Sequence, residues 1–457
     1  MRIKLGAPLK LAEVAHAIGG TLSSSNENGY VYYLTTNTQE IKIGDLFVPL
    51  KGSRHDGEEF TENAKELGAK VVSTLYSKAD VVSPKGAKVL PSLAAYYRRE
   101  YLHPKHVIGI TGSVGKTTTK EFLRVICKTE FVTAATEGNH NNEVGVPLTV
   151  LSAPQNTEIL ITELGMNALG EISELSRIVK PDIGIITKIG TSHIGMLGSR
   201  ENIARAKLEI LDGMEGSCLI GPEGEPLIEE KVTDTFSIVN SAANLRITEK
   251  DSAVDLLYNG KLIAKSAFSP DGTHNLECLA ASALAAMKAG VSPNGLRRGI
   301  SQISAYNTRQ TFHKIKNLTV LDDSYNASEE SVYAALKLLD EASGFDSKSA
   351  VLGTVLELGE YSDVIHERIG ARAAAHSISH LFLVGDGATA MARGALAAGI
   401  PPKRIHVNSR SDALQITARE IIRSCSPNEL ILLKASNKLK LSEIVSELKK
   451  YTENSTC

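Results

Sequence analysis

Apolar runs and helical stripes alternate along most of this chain, in three successive blocks. In the first, "GDLFVPL" (44–50) reads as a strand, "EEFTENAKELGA" (58–69) as an amphipathic helix stopping at Gly68, and "KVVSTL" as the next strand. "VVSPKGAKVL" (81–90) closes this small α/β unit, in which one clear helix is expected, and "PSLAAYYRREYLHP" (91–104) reads as a helix leading onward. The second block starts with "HVIGIT", a continuous apolar strand from 106, followed by the helix "KTTTKEFLRVICKT". "TEILITEL" (157–164) and "DIGIITKI" (182–189) are further buried-type strands, with helices expected at 170–179 and 200–212 and an alanine-rich one in 272–290. The third block, from about 313, holds "LTVLDDSYNAS", "SAVLGTVLEL", "HLFLVGD" and "ELILLKAS", strand-like runs that end in polar residues.

Apolar strands alternating with helices predict a mostly parallel sheet covered on both faces. The fold class is therefore α/β, in three units: a small N-terminal one, a central one with a mostly parallel sheet, and a C-terminal Rossmann-like one. Their expected bounds are 1–84, 85–312 and 313–457. In such sheets ligands gather at the carboxyl ends of the strands, where these runs carry their polar residues.

A chain of 457 residues is too long for one core, which agrees with several units. Fifty basic against fifty-two acidic residues leave a net charge of −2, which argues against a general nucleic-acid binder. The five cysteines are scattered and form no C-x-x-C pair, a usage that fits a reducing compartment and carries no zinc or disulfide signal. The N-terminal twenty residues lack the apolar core of a signal peptide, and no run approaches membrane-spanning length. A cytoplasmic protein without membrane insertion is expected.

Chemistry concentrates first in "IGITGSVGKTTTKEF" (108–122). The standard phosphate loop is G-x-x-x-x-G-K-S/T, yet Ile110 stands where its first glycine belongs, and the loop reads G-x-x-G-K-T. The strand–turn–helix setting still suits phosphate: backbone N–H groups of Gly112, Ser113, Val114 and Gly115 can cradle it at a helix N-terminus. Lys116 would then contact the terminal phosphates, and Thr117, next to Thr118, could ligate magnesium. The bland reading is a structural turn.

Further along, "EGNHNNEVGVP" (137–147) packs Asn139, Asn141 and Asn142 into a loop that is either an ordinary turn or a donor-rich ligand surface. Glu163 follows an apolar strand, an expensive place for a charge unless it is paired or binds metal. His193 lies just past another strand. Either residue alone reads as structural, but beside a phosphate loop they suit an Mg²⁺ held by few protein ligands plus phosphates and water. By charge pattern Lys207, in "RENIARAKLEIL", is a solvated lysine.

These motifs, in this order, resemble those of the Mur ligases, ATP-dependent amide-forming enzymes of peptidoglycan synthesis. "GDLFVPLKGSRHDGEEFTENAKELGA" is similar to the family's uridine-nucleotide domain, and "TGSVGKTTTKE" to its short phosphate loop. "GNHNNEVGVPLTVL", "ELGMNALGEI", "AKLEIL", "GTHNLE", "RQ" (309–310), "DDSYNAS" and "VLGTVLELGEYSDVIHERIG" complete the set over nearly the whole chain. The resemblance implies ATP and Mg²⁺ as cofactors, with UDP-MurNAc-tripeptide and D-alanyl-D-alanine as substrates of a monomer. It implies that the 112–118 loop with Lys116 holds the ATP phosphates, that Asn275 and Arg309 contact the nucleotide, and that Asp323 helps close the third domain over it. Thr117, Glu163 and His193 would serve the metal, and Lys207 would be carbamylated into a further metal group. Asn37 and Thr38, the three loop asparagines, Tyr325 and Asn326 would face the substrate.

This chain departs from the family pattern in places. Asn37-Thr38-Gln39 stands for Asp-Ser/Thr-Arg, Cys278 for an asparagine, Thr354 for an aspartate and Asn437 for an arginine. The last two changes leave open a related ligase that joins a different carboxylate and amine. Folylpolyglutamate synthetase shares the short loop but lacks such an N-terminal unit. A catalytically silent binding module would be expected to lack residues of the set Lys116, Thr117, Glu163, His193 and Lys207, all of which are present.

Overall fold

The computed structural model describes residues 1–23, 29–52, 55–76, 78–84, 88–251, 253–304 and 310–454, whose strands form three sheets. The first contains β1 (Arg2–Lys10), β2 (Thr21–Leu22), β3 (Tyr30–Thr35), β4 (Leu46–Phe47), β5 (Lys70–Ser73) and β6 (Val81–Val82), ordered β1-β3-β4-β5-β6-β2. The expected strand over 44–50 shrinks to β4. The expected helix over 58–69 splits into a 3₁₀ turn, Gly57–Phe60, and an α-helix, Thr61–Glu66, because the Asp56 side chain caps the tighter turn first. A second helix, Leu11–Ile18, corrects the expectation of one. Its Leu11, Val14, Ala15 and Ile18 are buried, and Gly19 ends it in the left-handed conformation.

The central sheet holds β7 (His106–Thr111), β8 (Thr133–Ala135), β9 (Ile159–Glu163), β10 (Ile183–Ile186), β11 (Cys218–Pro222), β12 (Asp234–Ser237), β13 (Leu245–Lys250), β14 (Ala253–Tyr258) and β15 (Lys261–Ala267). Their order is β15-β14-β13-β12-β11-β10-β7-β9-β8, parallel from β8 to β13 and antiparallel at the β13–β14–β15 edge. Every residue of β9 and β10 is buried, as a sheet covered on both faces requires. Strand β7 lies between β9 and β10, so the loop leaving it opens where the chain order reverses direction across the sheet. Register does the rest: Ile110 pairs with Glu163 and Thr111 with Ile186, which puts the ends of all three strands together. On one face, the helix Lys116–Cys127 packs against the alanine-rich helix Thr273–Lys288, where the Ser282 hydroxyl donates to Thr119 O at 2.9 Å.

The third sheet comprises β16 (Thr311–Ile315), β17 (Leu318–Asp322), β18 (Ser347–Gly353), β19 (Leu381–Val384), β20 (Ile405–Asn408) and β21 (Glu429–Lys434), ordered β16-β17-β21-β18-β19-β20. All its pairs are parallel except β16–β17. Strand β21 is buried throughout, and its pairing sets Asp322 beside Leu433 and Leu352 beside Lys434. The polar residues just beyond β17 and β21 thus meet at one end of the sheet.

Candidate active site

A cleft of about 560 Å³ opens between the central and third sheets, and its floor is the loop after β7. Gly112 and Gly115 hold φ of 142° and 85°, which side chains other than glycine's rarely adopt. A Cβ on Gly112 would lie 2.0 Å from Thr187 Oγ1, and one on Gly115 3.0 Å from Cys278 Sγ. The loop is pinned from beneath: the Thr187 hydroxyl donates to Val114 O at 2.5 Å, and the Gly190 N–H to Ser113 Oγ at 3.0 Å. Lys116 folds back over the turn and donates to Gly112 O at 2.6 Å, which leaves its ammonium at the cradle a phosphate would enter. Ser113, Val114, Thr117 and Thr118 line the same cleft.

Beside the loop sits Glu163, only 1% exposed. The Thr117 hydroxyl donates to its Oε2 and the Asn141 amide to its Oε1, each at 2.8 Å, while its N–H donates to Thr136 Oγ1. These contacts come from neutral donors, so the carboxylate's charge remains available to a cation. Asn139 and Asn142 line the cleft with Asn141, and the Asn142 side chain accepts the Gly145 N–H at 2.9 Å, which starts the helix Gly145–Ser152.

His193 is on the opposite wall in a left-handed conformation, with φ of 65°. Its Nδ1 is 2.7 Å from Glu357 Oε2 of the third domain, a close contact off the line of an aligned hydrogen bond. This neighbour holds the Glu357 carboxyl below its ordinary range, against the opposing effect of burial. Among the described residues no three His, Cys, Asp or Glu side chains converge as a ready-made metal cluster.

The reading of Lys207 as solvated is overturned. It is 1% exposed, on the buried stripe of the helix Arg200–Leu208 with Ile203, Ala204 and Ala206. Burial above all, then the nearby Lys116 charge, pushes its ammonium well below the ordinary lysine range. Lys207 is not among the residues that line the cleft, though it is close enough to feel the Lys116 charge.

The helix starting at Thr273 brings His274 and Asn275 to the cleft. Asn275 is fully buried; its amide donates to Asp271 O at 2.6 Å and its Oδ1 has no partner. Burial, then Lys434 and Lys188, lowers the His274 pKa to about 4. The Cys278 thiol, pushed up to about 12 by burial, faces Gly115 O at 3.7 Å and keeps its proton.

From the third domain come Asp323, Tyr325, Asn326 and Glu330. Asp323 pairs with Lys434 at 3.0 Å, and the same ammonium donates to Asn326 O at 2.8 Å. Glu330 reaches across to accept the Thr191 N–H at 2.7 Å. Arg309 lies outside the described residues. Thr354 and Asn437 are absent from the cleft lining: the Thr354 hydroxyl accepts the Gly387 N–H at 2.9 Å, and Asn437 opens a short 3₁₀ turn. Asn37 and Thr38 belong to a separate cleft of about 520 Å³ on the first sheet, with Phe47, His55 and Phe60. The roles of Glu330, Glu357 and Lys434 were missed from the sequence; the available signal was a polar residue at the end of a buried strand, for Lys434 as the last residue of β21 and for Glu357 four positions past β18.

Two known domain patterns cover this arrangement: the Mur ligase middle domain matches residues 110–286, and the Mur ligase, glutamate ligase domain matches residues 309–437. The UDP-N-acetylmuramoyl-tripeptide–D-alanyl-D-alanine ligase of Bacillus subtilis is 35% identical, over 95% of this chain and 97% of its own. The chain belongs to the Mur ligase family. Among Mur ligases of known structure, MurF of Acinetobacter baumannii superposes with a TM-score of 0.86 at 26% identity, covering 98% of this chain and 100% of its own. MurF of Thermotoga maritima, solved in complex with ADP, gives 0.80 at 24% identity over 93% and 98% of the two chains and shares the fold.

Proposed function

We propose that this Mur ligase uses ATP to join D-alanyl-D-alanine to UDP-MurNAc-tripeptide, a cytoplasmic step of peptidoglycan synthesis carried out by a monomer. The observation that carries the reading is the contact of Thr117 with buried Glu163 at the mouth of the 112–118 loop, inside a cleft closed by the third domain. The names of the relatives supply the substrates. The bounds 1–84, 85–312 and 313–457 remain our division into a uridine-nucleotide domain, an ATP domain and a ligase domain.

The chain's residues fit a magnesium ion. A hard oxygen pair, Thr117 Oγ1 and Glu163 Oε2, lies next to a phosphate cradle, and Glu163 meets neutral donors there. Thr117, Glu163 and His193, with carbamylated Lys207, would hold it, and when bound it supplies positive charge to the phosphate oxygens. The buried Lys207 amine, disfavoured as an ammonium, attacks CO₂ through its lone pair, forms the N–C bond and releases a proton.

In the first step the tripeptide's terminal carboxylate attacks the γ-phosphorus in line, and ADP leaves. Lys116 and the loop N–H groups stabilise charge on the transferred oxygens. The dipeptide's free amine then attacks the acyl carbon, a tetrahedral intermediate forms and collapses, and phosphate leaves as hydrogen phosphate with the proton the amine gives up. Asn139 and the third-domain wall around Tyr325 and Asn326 orient the reactants and exclude water that would hydrolyse the acyl phosphate. Arg309 and Asn275 would hold the nucleotide, the latter through its unpartnered Oδ1. No nucleophilic side chain takes part.

Phosphate release from ATP in the presence of UDP-MurNAc-tripeptide tests the reading. Release that depends on D-alanyl-D-alanine is expected; release supported only by another amine refutes the acceptor.

A further inference from the structure

Three hydrogen bonds between the central and third domains gather on one short stretch, residues 190–198. The Thr191 N–H donates to Glu330, the Gly195 N–H to Glu357 O at 3.0 Å, and Tyr361 donates through its hydroxyl to Gly198 O at 2.7 Å. The backbones touch at two glycines: a Cβ on Gly195 would lie 2.3 Å from Gly359 N, and one on Gly359 would lie 2.8 Å from Gly195 Cα. At the centre His193 and Glu357 face each other, both non-glycine residues with left-handed φ, of 65° and 66°. Such conformations persist only where the surroundings enforce them.

The surroundings that enforce Glu357 come from the core of the third domain. The Val355 N–H donates to Nε2 of buried His366, whose Nδ1 is 2.7 Å from Ser362 O, and the Leu356 N–H donates to Ser436 Oγ. The loop therefore delivers the Glu357 carboxylate to the ring of His193 at a fixed place. An imidazole on a loop has two soft torsions, and a carboxylate held 2.7 Å from Nδ1 restricts them.

We propose that Glu357 is a positioning residue for ligation. It orients His193 across the domain boundary, so that the phosphate-side wall is completed only when the third domain is seated. The proposal rests on the ligase reading above.

Steady-state kinetics of the full chain test it, using Glu357→Ala, Glu357→Gln and Tyr361→Phe with ATP, UDP-MurNAc-tripeptide and D-alanyl-D-alanine. Glu357→Ala is expected to lower kcat by about tenfold or more, with KM for ATP and dipeptide changed by less than about threefold. Glu357→Gln keeps an accepting oxygen and recovers most of the loss. Tyr361→Phe removes one of the bridging hydrogen bonds while those of Thr191 and Gly195 keep the domain seated and Glu357 against His193, and it stays within about twofold of wild type. The proposal is overturned by a normal kcat in Glu357→Ala, by an equal loss in Tyr361→Phe, or by kcat losses that track the thermal midpoints of the variants. A wild-type chain with no tripeptide- and dipeptide-dependent turnover refutes the ligase reading instead.

Discussion

An ammonium enclosed by protein loses its hydration, and Lys207 shows the consequence in the direction of its shift. Unfolded, a lysine keeps its proton up to about pH 10.4. Folded, this one releases it lower, so the native state binds fewer protons and is penalised at neutral pH, and the penalty fades as pH rises toward that value. Lys207→Met keeps the stem and removes the amine. Its thermal midpoint at pH 7 without ligands should rise by about 2–4 °C for each kcal/mol relieved, while ligase activity is lost. Lys207→Ala should also be inactive, with partial recovery when short carboxylic acids are added; full activity in either variant would remove the carbamate role. Asn141 offers the opposite case. Asn141→Asp would set a second carboxylate 2.8 Å from Glu163 Oε1, where the amide now donates. Stability should fall by about 1–3 kcal/mol, the range for a lost buried hydrogen bond, and magnesium should restore part of it. A midpoint unchanged without metal would contradict the neutral-donor account of Glu163.

The loop after β7 works as an element because its glycines are required twice, for conformation and for space. Gly112→Ala meets both obstacles, a φ of 142° and Thr187 Oγ1 at 2.0 Å. It should destabilise the chain by about 1–3 kcal/mol and weaken ATP binding, read as a raised KM for ATP. Adding Thr187→Ala should return only part of the stability, because the backbone strain stays. The same element shows why parts of the fold were legible. "HVIGIT" has no polar break, and β7 spans those six residues. The run β11–β15 was not anticipated, although Asn259-Gly260, with φ of 47° and 77°, marks a hairpin between alternating strands. β1 was also missed; its buried Leu5, Ala7 and Leu9 follow a period of two that "RIKLGAPLK" displays. Lys207 was misread as solvated from its charge pattern, although it lies four residues past Ile203, on the stripe that the structure buries. What no local pattern carries is the meeting of 190–198 with Glu330 and Glu357, since residues over a hundred positions apart are joined only by the docking of two sheets.

At the scale of the whole molecule, the cleft between the central and third sheets is also where acid should act first. His274 sits there near Lys434 of the third domain and Lys188 of the central one, with its Nε2 3.3 Å from Gln310 Nε2. Burial first, then these two cations, holds its pKa at about 4 against an ordinary 6.5. Between those values the unfolded chain takes up a proton that the folded chain refuses, so stability is complete above about pH 6.5 and drains away as pH falls toward 4. The full difference is worth about 3 kcal/mol, with most of it spent by about pH 4.5. His274→Gln keeps polar contact with the cleft but cannot titrate. Thermal midpoints taken from pH 7.5 down to 4.5 should therefore fall less steeply in this variant than in wild type, by an amount equivalent to about 2–3 kcal/mol. His366 and His406 are also lowered by burial and contribute to the wild-type slope, but they are common to both chains and cancel in the difference. Parallel slopes would mean that His274 gains its proton without cost and that the cleft in solution is open to water.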